Sequence, residues 1–162
     1  MRAYYYQIAN HLFAISLPGA WSIETLFPTL KPFEATPTAT EEALFSLTFA
    51  PFSVPIESEE MISFEWEDAT CTIRQTVDEY LITILPFHDS TAGQMVVDKQ
   101  FTRAIIETVD NEAPSSFVAS NFLMMLFAFA TAPHSRLWLE HIPDTDLLND
   151  DNPIVRFYPT GE

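Results

Sequence analysis

Alternation of apolar and polar residues dominates the middle of this chain and constrains its fold more than any other feature. In the stretch ISFEWED, Ile62, Phe64 and Trp66 share one side, while Glu65 and Glu67 share the other. Similar alternation recurs in TCTIRQT, EYLITILPF, QMVVDK and FTRAIIET, with short polar breaks between them. A period of two residues is typical of β-strands with one buried and one hydrated face, so this region predicts an antiparallel meander.

Two more strands and a short helix are expected near the N-terminus. Residues 4–9 and 11–17 are rich in aromatic and branched side chains and are separated at Asn10, which favours a β-hairpin. Ser22 can cap a short helix that Pro32 ends. Residues 34–41 are polar and contain a proline, which indicates a surface loop.

The stretch SFVASNFLMMLFAFATA predicts a helix over residues 117–131, about 22 Å long. It is apolar almost all round, as buried helices are. Pro133 would end it, and HSRLWLEHI predicts a second short helix. The predicted fold class is therefore α+β, with a mainly antiparallel sheet meander in the N-terminal two thirds, a buried apolar helix and a short C-terminal helix and strand remnant. We expect a β-rich region over residues 1–113 and the helix with the remnant over residues 114–162, within one compact domain.

The charge and the cysteine content of the chain indicate which partners and which cellular compartment are expected. The 162 residues include 7 Lys and Arg against 23 Asp and Glu, a formal charge of −16, which disfavours binding to nucleic acid and to anionic lipid surfaces. Cys71 is the single cysteine, so no intramolecular disulfide can form. The longest apolar run, residues 122–130, is too short to span a membrane. We predict a cytoplasmic protein with neither nucleic acid nor membrane as a partner.

The stretch HSRLWLEHIPDTDLLNDDNPIVR, at residues 134–156, resembles a segment of bacterial HPr kinases and the related ATP-dependent phosphoenolpyruvate carboxykinases. In those relatives a glycine-rich Gly-Lys-Ser/Thr loop leads into a His-Ser-Arg-Leu-Trp helix, and the next strand ends in an Asp-Asp pair. The resemblance implies that Asp150 and Asp151 match this catalytic pair, one engaging Mg²⁺ and the other taking a proton from the acceptor hydroxyl. It also implies that residues 1–110 correspond to the N-terminal domain of these relatives, whose cofactors are ATP and Mg²⁺.

The phosphate-binding loop that should precede this stretch is missing. The three glycines are Gly19, Gly93 and Gly161, and neither Lys31 nor Lys99 follows a glycine. We therefore expect neither ATP nor Mg²⁺ to bind, and we predict a catalytically inactive N-terminal domain with a remnant of the kinase core. Two alternatives stay open: a stand-alone binding or oligomerisation module, and a kinase subunit completed by another chain. The expected partner is a second copy or another protein, bound through the apolar helix.

Other candidate residues have less specific patterns. Asp144, Asp146, Asn149 and Asp150 lack the glycine and the bidentate glutamate of a calcium loop. His134 and His141 have no third metal ligand at a usable spacing. The glutamates are expected to form a hydrated strand face; they are Glu57, Glu59, Glu60, Glu65 and Glu67.

Overall fold

The computed structural model of the chain describes residues 1–38, 40–52, 57–66, 68–88, 92–109 and 112–132. These ranges contain eight β-strands, two α-helices and a 3-10 turn at Lys31–Phe33. The strands are β1 (Arg2–Ile8), β2 (His11–Leu17), β3 (Ser46–Ala50), β4 (Glu59–Trp66), β5 (Ala69–Gln75), β6 (Glu79–Pro86), β7 (Gly93–Asp98) and β8 (Arg103–Glu107). The helices are α1 (Ile23–Leu26) and α2 (Ser116–Thr131).

The strands form one mixed sheet in the order β1-β2-β3-β8-β7-β6-β5-β4. β1 and β2 are an antiparallel hairpin whose turn residues, Ala9 and Asn10, have φ values of 50° and 67°. Two positive φ values at the turn suit the right-handed twist of a tight hairpin. β4 to β8 follow one another as an antiparallel meander, and β3 lies between β2 and β8, parallel to both.

The prediction of a mainly antiparallel sheet meander is therefore wrong for the sheet as a whole. Leu47 on β3 pairs in parallel with Ile15 on β2 and with Ala104 on β8. A period of two residues is the same in parallel and antiparallel strands, so alternation cannot reveal strand direction. Residues 18–45 contain α1 and the 3-10 turn, and this long connection lets β3 run in the direction of β2.

The hydrophobic core lies between α2 and one face of the sheet. From the sheet, fully buried side chains include Phe13, Ile15, Leu47, Phe49, Ile82 and Ile106; from α2 they include Phe122, Leu126 and Phe129. α2 begins one residue before the predicted helix and ends at the predicted residue. The Ser115 Oγ atom caps it by accepting a hydrogen bond from the Val118 N–H at 3.2 Å.

The short helix α1 is attached to α2 by a side-chain hydrogen bond. Ser22 caps α1, as expected, by accepting from the Thr25 N–H at 3.3 Å, but the helix ends at Leu26 and does not extend to Pro32 as predicted. The Ser116 hydroxyl donates to the Leu26 carbonyl at 3.0 Å. Since Leu26 is buried and lies at the last residue of α1, this bond satisfies a carbonyl at a helix end. In the described ranges, no helix is long and apolar enough to cross a membrane.

Candidate functional site

The residues that the kinase resemblance singled out lie outside the described part of the chain. They are Asp150 and Asp151, whose catalytic and metal-binding roles stay predictions. His134 and His141, for which the sequence provides no third metal ligand, also lie outside the described residues. The predicted C-terminal helix and strand remnant also lies outside the described residues.

The glycines and lysines of the described residues do not fit the phosphates of ATP. Gly93 begins β7 and is packed against α2, where a Cβ atom at this position would lie 3.0 Å from the Phe122 ring and overlap the Val118 side chain. Gly19 is exposed in the turn after β2 and is followed by Ala20. Lys31 lies 3.6 Å from Glu24 in an exposed ion pair. A phosphate loop needs consecutive free backbone N–H groups close to a lysine, and these positions provide no such loop.

An open cavity of about 630 Å³ lies where β4 begins and where β5 and β7 end. Its lining residues come from three separate parts of the chain: Glu57, Ser58, Glu59, Gln75, Thr76, Val77 and Lys99. The cavity therefore combines carboxylates, hydroxyls, an amide and one ammonium group. Among the cavities of the described residues it is the better candidate for binding a polar or charged group, because its walls carry both signs of charge.

Lys99 is held in the wall of this cavity by two contacts. Its Nζ atom donates to the Gln75 Oε1 atom at 3.1 Å and lies 5.3 Å from the centre of the Tyr80 ring. Tyr80 stacks on Phe101 with ring centres 5.5 Å apart, and Phe101 stacks on Phe129 at 5.0 Å. Because Phe129 belongs to α2, the lysine is connected through stacked aromatic rings to the hydrophobic core.

Arg74 holds Ser58, another lining residue of the cavity, in place. Its guanidinium donates to the Ser58 hydroxyl at 2.8 Å and to the Ser58 carbonyl at 3.0 Å. The same group lies 4.0 Å from a carboxylate oxygen of Glu60. These contacts attach the start of β4 to β5, where the carboxylates of Glu57 and Glu59 are exposed.

The hydroxyl groups of the cavity take part in hydrogen bonds that stabilise the local structure. The Thr76 hydroxyl accepts from the Glu79 N–H at 3.1 Å, which closes the turn between β5 and β6. The Ser58 hydroxyl accepts from Arg74, and a cationic donor of this kind cannot act as the general base that a nucleophilic serine needs. Within the described ranges, no group of three His, Cys, Asp or Glu residues could hold a metal ion.

Sequence reasoning identified only part of this cavity. The sequence predicts a hydrated strand face for Glu57 and Glu59, and it places Lys99 at the end of the alternating stretch QMVVDK. Val77 falls in a break between two predicted strands, and another break follows Lys99. In a meander these two breaks fall at the same end of the sheet, so the sequence could have placed Val77 near Lys99. Whether Glu57 lies near them depends on the position of β4 in the sheet, which the sequence does not reveal.

A second cavity, of about 310 Å³, lies where both helices begin. Its lining includes Trp21, Ser22, Thr25, Leu26, Ala113, Pro114, Ser115 and Ser116. The hydroxyls of Ser22, Ser115 and Ser116 are already engaged in the two helix caps and in the bond to the Leu26 carbonyl. This cavity therefore belongs to the packing of the helices.

Two buried titratable groups lie away from the larger cavity. Burial raises the pKa of the Cys71 thiol to about 12, so the nucleophilic thiolate is scarce at neutral pH. Burial, with smaller contributions led by the carboxylate of Glu34, raises the pKa of Tyr6 to about 12. Both groups are therefore neutral parts of the core under physiological conditions.

Comparison with protein-family models finds no matching family, and comparisons with curated proteins and with solved structures find no match either.

Proposed function

We propose that this chain is a non-catalytic binding domain related to the N-terminal region of HPr kinases. The observation that carries the proposal is that the chain has no residues from which a phosphate-binding loop could be built. None of its three glycines precedes a lysine, and Gly93 is packed against α2. Without such a loop, the phosphates of ATP lack the backbone N–H groups that would bind them.

The geometry of the described residues favours binding over catalysis. The open cavity beside β4 is lined by the carboxylates of Glu57 and Glu59 and by Lys99, and its serine and threonine hydroxyls are used in structural hydrogen bonds. The expected protein contact through the apolar helix remains a second proposal. The surface around β4 is the better candidate, since among the large apolar side chains of α2 Phe117 is the exposed one, at 37%.

Binding of MgATP tests the proposal directly. If a site with millimolar affinity existed, nucleotide at ten times its dissociation constant would stabilise the fold by about 1.4 kcal/mol. We expect no change in the melting temperature when MgATP is added to the purified protein. The matched control is the double variant Asp150→Asn, Asp151→Asn, which removes the carboxylates that the resemblance assigns to magnesium.

Either of two results would contradict the proposal. A thermal shift that is lost in the double variant would favour the alternative of a kinase subunit whose phosphate site another chain completes. A shift that persists in the double variant would indicate a nucleotide site elsewhere in the chain. Calorimetric titration with MgATP separates these outcomes from an unspecific effect of magnesium, because magnesium chloride alone serves as the reference titration.

A further inference from the structure

The two outer strands of the sheet differ in how their edges are covered. At the β1 edge, Glu34 forms an antiparallel bridge with Tyr6, and the Ala35 N–H donates to the Tyr5 carbonyl at 2.9 Å. At the other edge, β4 pairs with β5, and no further strand of the described residues lies beside it. An edge strand presents unpaired backbone N–H and C=O groups that can pair with another chain.

From this edge and its charge we propose that β4 binds an extended, lysine- or arginine-rich segment of a partner protein as a ninth strand of the sheet. The inference rests on the proposed function as a binding domain and names the chemistry of its partner. Adding a strand to a sheet edge is a common way for proteins to recognise peptides, in which backbone hydrogen bonds supply affinity and side chains supply specificity.

The strand is long enough and ordered enough to serve as such an edge. β4 has eight residues, which corresponds to about 27 Å of extended chain. The Ser63 hydroxyl is 3.2 Å from the Thr72 hydroxyl on β5, and Arg74 holds Ser58 just before the strand begins. Because β4 is already fixed on β5, binding would require little ordering of the protein itself.

The charge of the edge selects a basic partner. Glu57, Glu59, Glu60 and Glu65 are exposed along this segment, and Arg74 approaches Glu60 alone among them, at 4.0 Å. Two copies of the chain pairing through β4 would bring these carboxylates together, and like charges placed opposite each other destabilise a strand pair. Glu60 and Glu65 lie on one face of the sheet, because their partners on β5, Arg74 and Thr70, are four residues apart. A strand with lysine or arginine at alternate positions would bring opposite charges to this face.

A β-bulge divides β4 into a short irregular part at its start and a longer regular part. The pairing with β5 shifts register between Glu60 and Ile62, which interrupts regular pairing near the start of the strand. The regular edge is therefore the part from Ile62 to Trp66. The segment before the bulge contributes Glu57 and Glu59 to the open cavity.

A synthetic eight-residue peptide, in which lysine alternates with valine and threonine, tests this inference by isothermal titration calorimetry at physiological ionic strength. We expect it to bind the unmodified protein. The double variant Glu60→Lys, Glu65→Lys should weaken binding about tenfold, because two favourable charge pairs on one face of the sheet become repulsive. The control variant Glu42→Lys, Glu112→Lys changes the net charge equally at exposed positions away from β4, and it should bind nearly as well as the unmodified protein.

A second peptide separates strand addition from simple charge attraction. N-methylation of alternate backbone amides keeps every lysine and removes the N–H groups that a ninth strand would use, so binding should be lost. This comparison uses the unmodified protein and does not depend on the folding of any variant. Equal binding of the two peptides, or equal weakening by the two double variants, would overturn the proposal.

If the lysine peptide does not bind, the proposal of a ninth strand is also overturned. The acidic edge and its bulge would then serve to prevent self-association of the chain through β4. That result would not affect the proposal that the chain lacks nucleotide-dependent catalysis, which the MgATP titration decides separately. Conversely, MgATP binding would contradict the proposed function whatever the peptides do.

Discussion

Gly93 on β7 lies directly against Val118 on α2, so close that a Cβ atom at position 93 would overlap the Val118 Cγ1 atom. The Phe122 ring would be 3.0 Å from the same Cβ atom. Gly93 pairs with Ile84 on β6, and Val118 and Ile84 are both buried. The missing side chain therefore allows the first turn of α2 to approach the sheet closely.

The contact between Gly93 and Val118 predicts that Gly93→Ala lowers the free energy of unfolding by about 1–3 kcal/mol, since the added methyl group overpacks the helix and sheet contact. Urea denaturation followed by circular dichroism measures the change. Gly19→Ala is the control, because no atom lies within 4 Å of a Cβ atom at that position, and its effect should stay within about 0.5 kcal/mol. In a double-mutant cycle, Val118→Ala should recover part of the stability lost in Gly93→Ala.

Asp98 stabilises the turn between β7 and β8 in a way that depends on pH. Its carboxylate accepts hydrogen bonds from the Thr102 N–H at 2.7 Å, the Thr102 hydroxyl at 2.6 Å and the Arg103 N–H at 2.8 Å. Partial burial alone would raise the pKa of Asp98, but these hydrogen bonds outweigh burial and lower the pKa below its usual range. Because the pKa is lower in the folded state, the carboxylate stabilises the fold above the pKa of the unfolded chain, and this contribution is lost as pH falls through the folded pKa.

We therefore expect Asp98→Asn to lower the free energy of unfolding by roughly 1 kcal/mol at pH 7. The difference between the variant and the unmodified protein should shrink as the pH falls below about 4, where the carboxyl group of the unfolded chain becomes protonated. Urea denaturation at a series of pH values provides the comparison. A difference that stays constant or grows in acid would show that the ionised carboxylate is not the source of the stability.

Leu126 has no solvent-exposed surface and lies in the core between α2 and the sheet. Leu126→Asp would place an unpaired charge there and should cost about 3–5 kcal/mol, enough to unfold a marginally stable domain. Phe117→Asp is the control on the same helix, because Phe117 is 37% exposed and an acidic residue is favourable near a helix N-terminus. Equal melting temperatures for Leu126→Asp and the unmodified protein would contradict the packing of α2 against the sheet.

The single cysteine offers a chemical measure of the core. Cys71 is buried, and burial raises the pKa of its thiol to about 12, so a thiol reagent should not modify it in the folded protein at pH 8. Modification should become complete once urea unfolds the chain. The control is Cys71→Ser combined with Val77→Cys, since Val77 is 89% exposed and a thiol there should react without denaturant. Fast modification of Cys71 under native conditions would contradict its burial in the sheet.

The alternation of apolar and polar residues and the apolar content of short stretches predicted several strands and the helix α2. Both properties depend only on residues that are neighbours in the sequence. Cys71 and Ile73 lie on the buried face of β5, as their alternation with polar residues predicts. The apolar stretch before Ala132 forms α2. The candidate cavity was not predicted as a unit. Lys99 is about forty residues from Glu57 and Glu59 in the chain, and no local pattern relates the turn after β7 to the segment before β4.

By itself, the sequence determined where most of the described strands and α2 form, which of their faces are apolar, and that no Gly-Lys-Ser/Thr tripeptide is present. The position of an element and its apolar face depend on side chains a few residues apart. The presence or absence of a sequence motif depends only on the order of residue types along the chain. Only the tertiary structure decided that β3 runs parallel to β2 and β8, and that β4 lies at an edge opposite the one covered by Glu34 and Ala35. Strand direction and strand order depend on how the connections pack over the sheet, because the alternation of side chains is the same for either direction and for every position in the order.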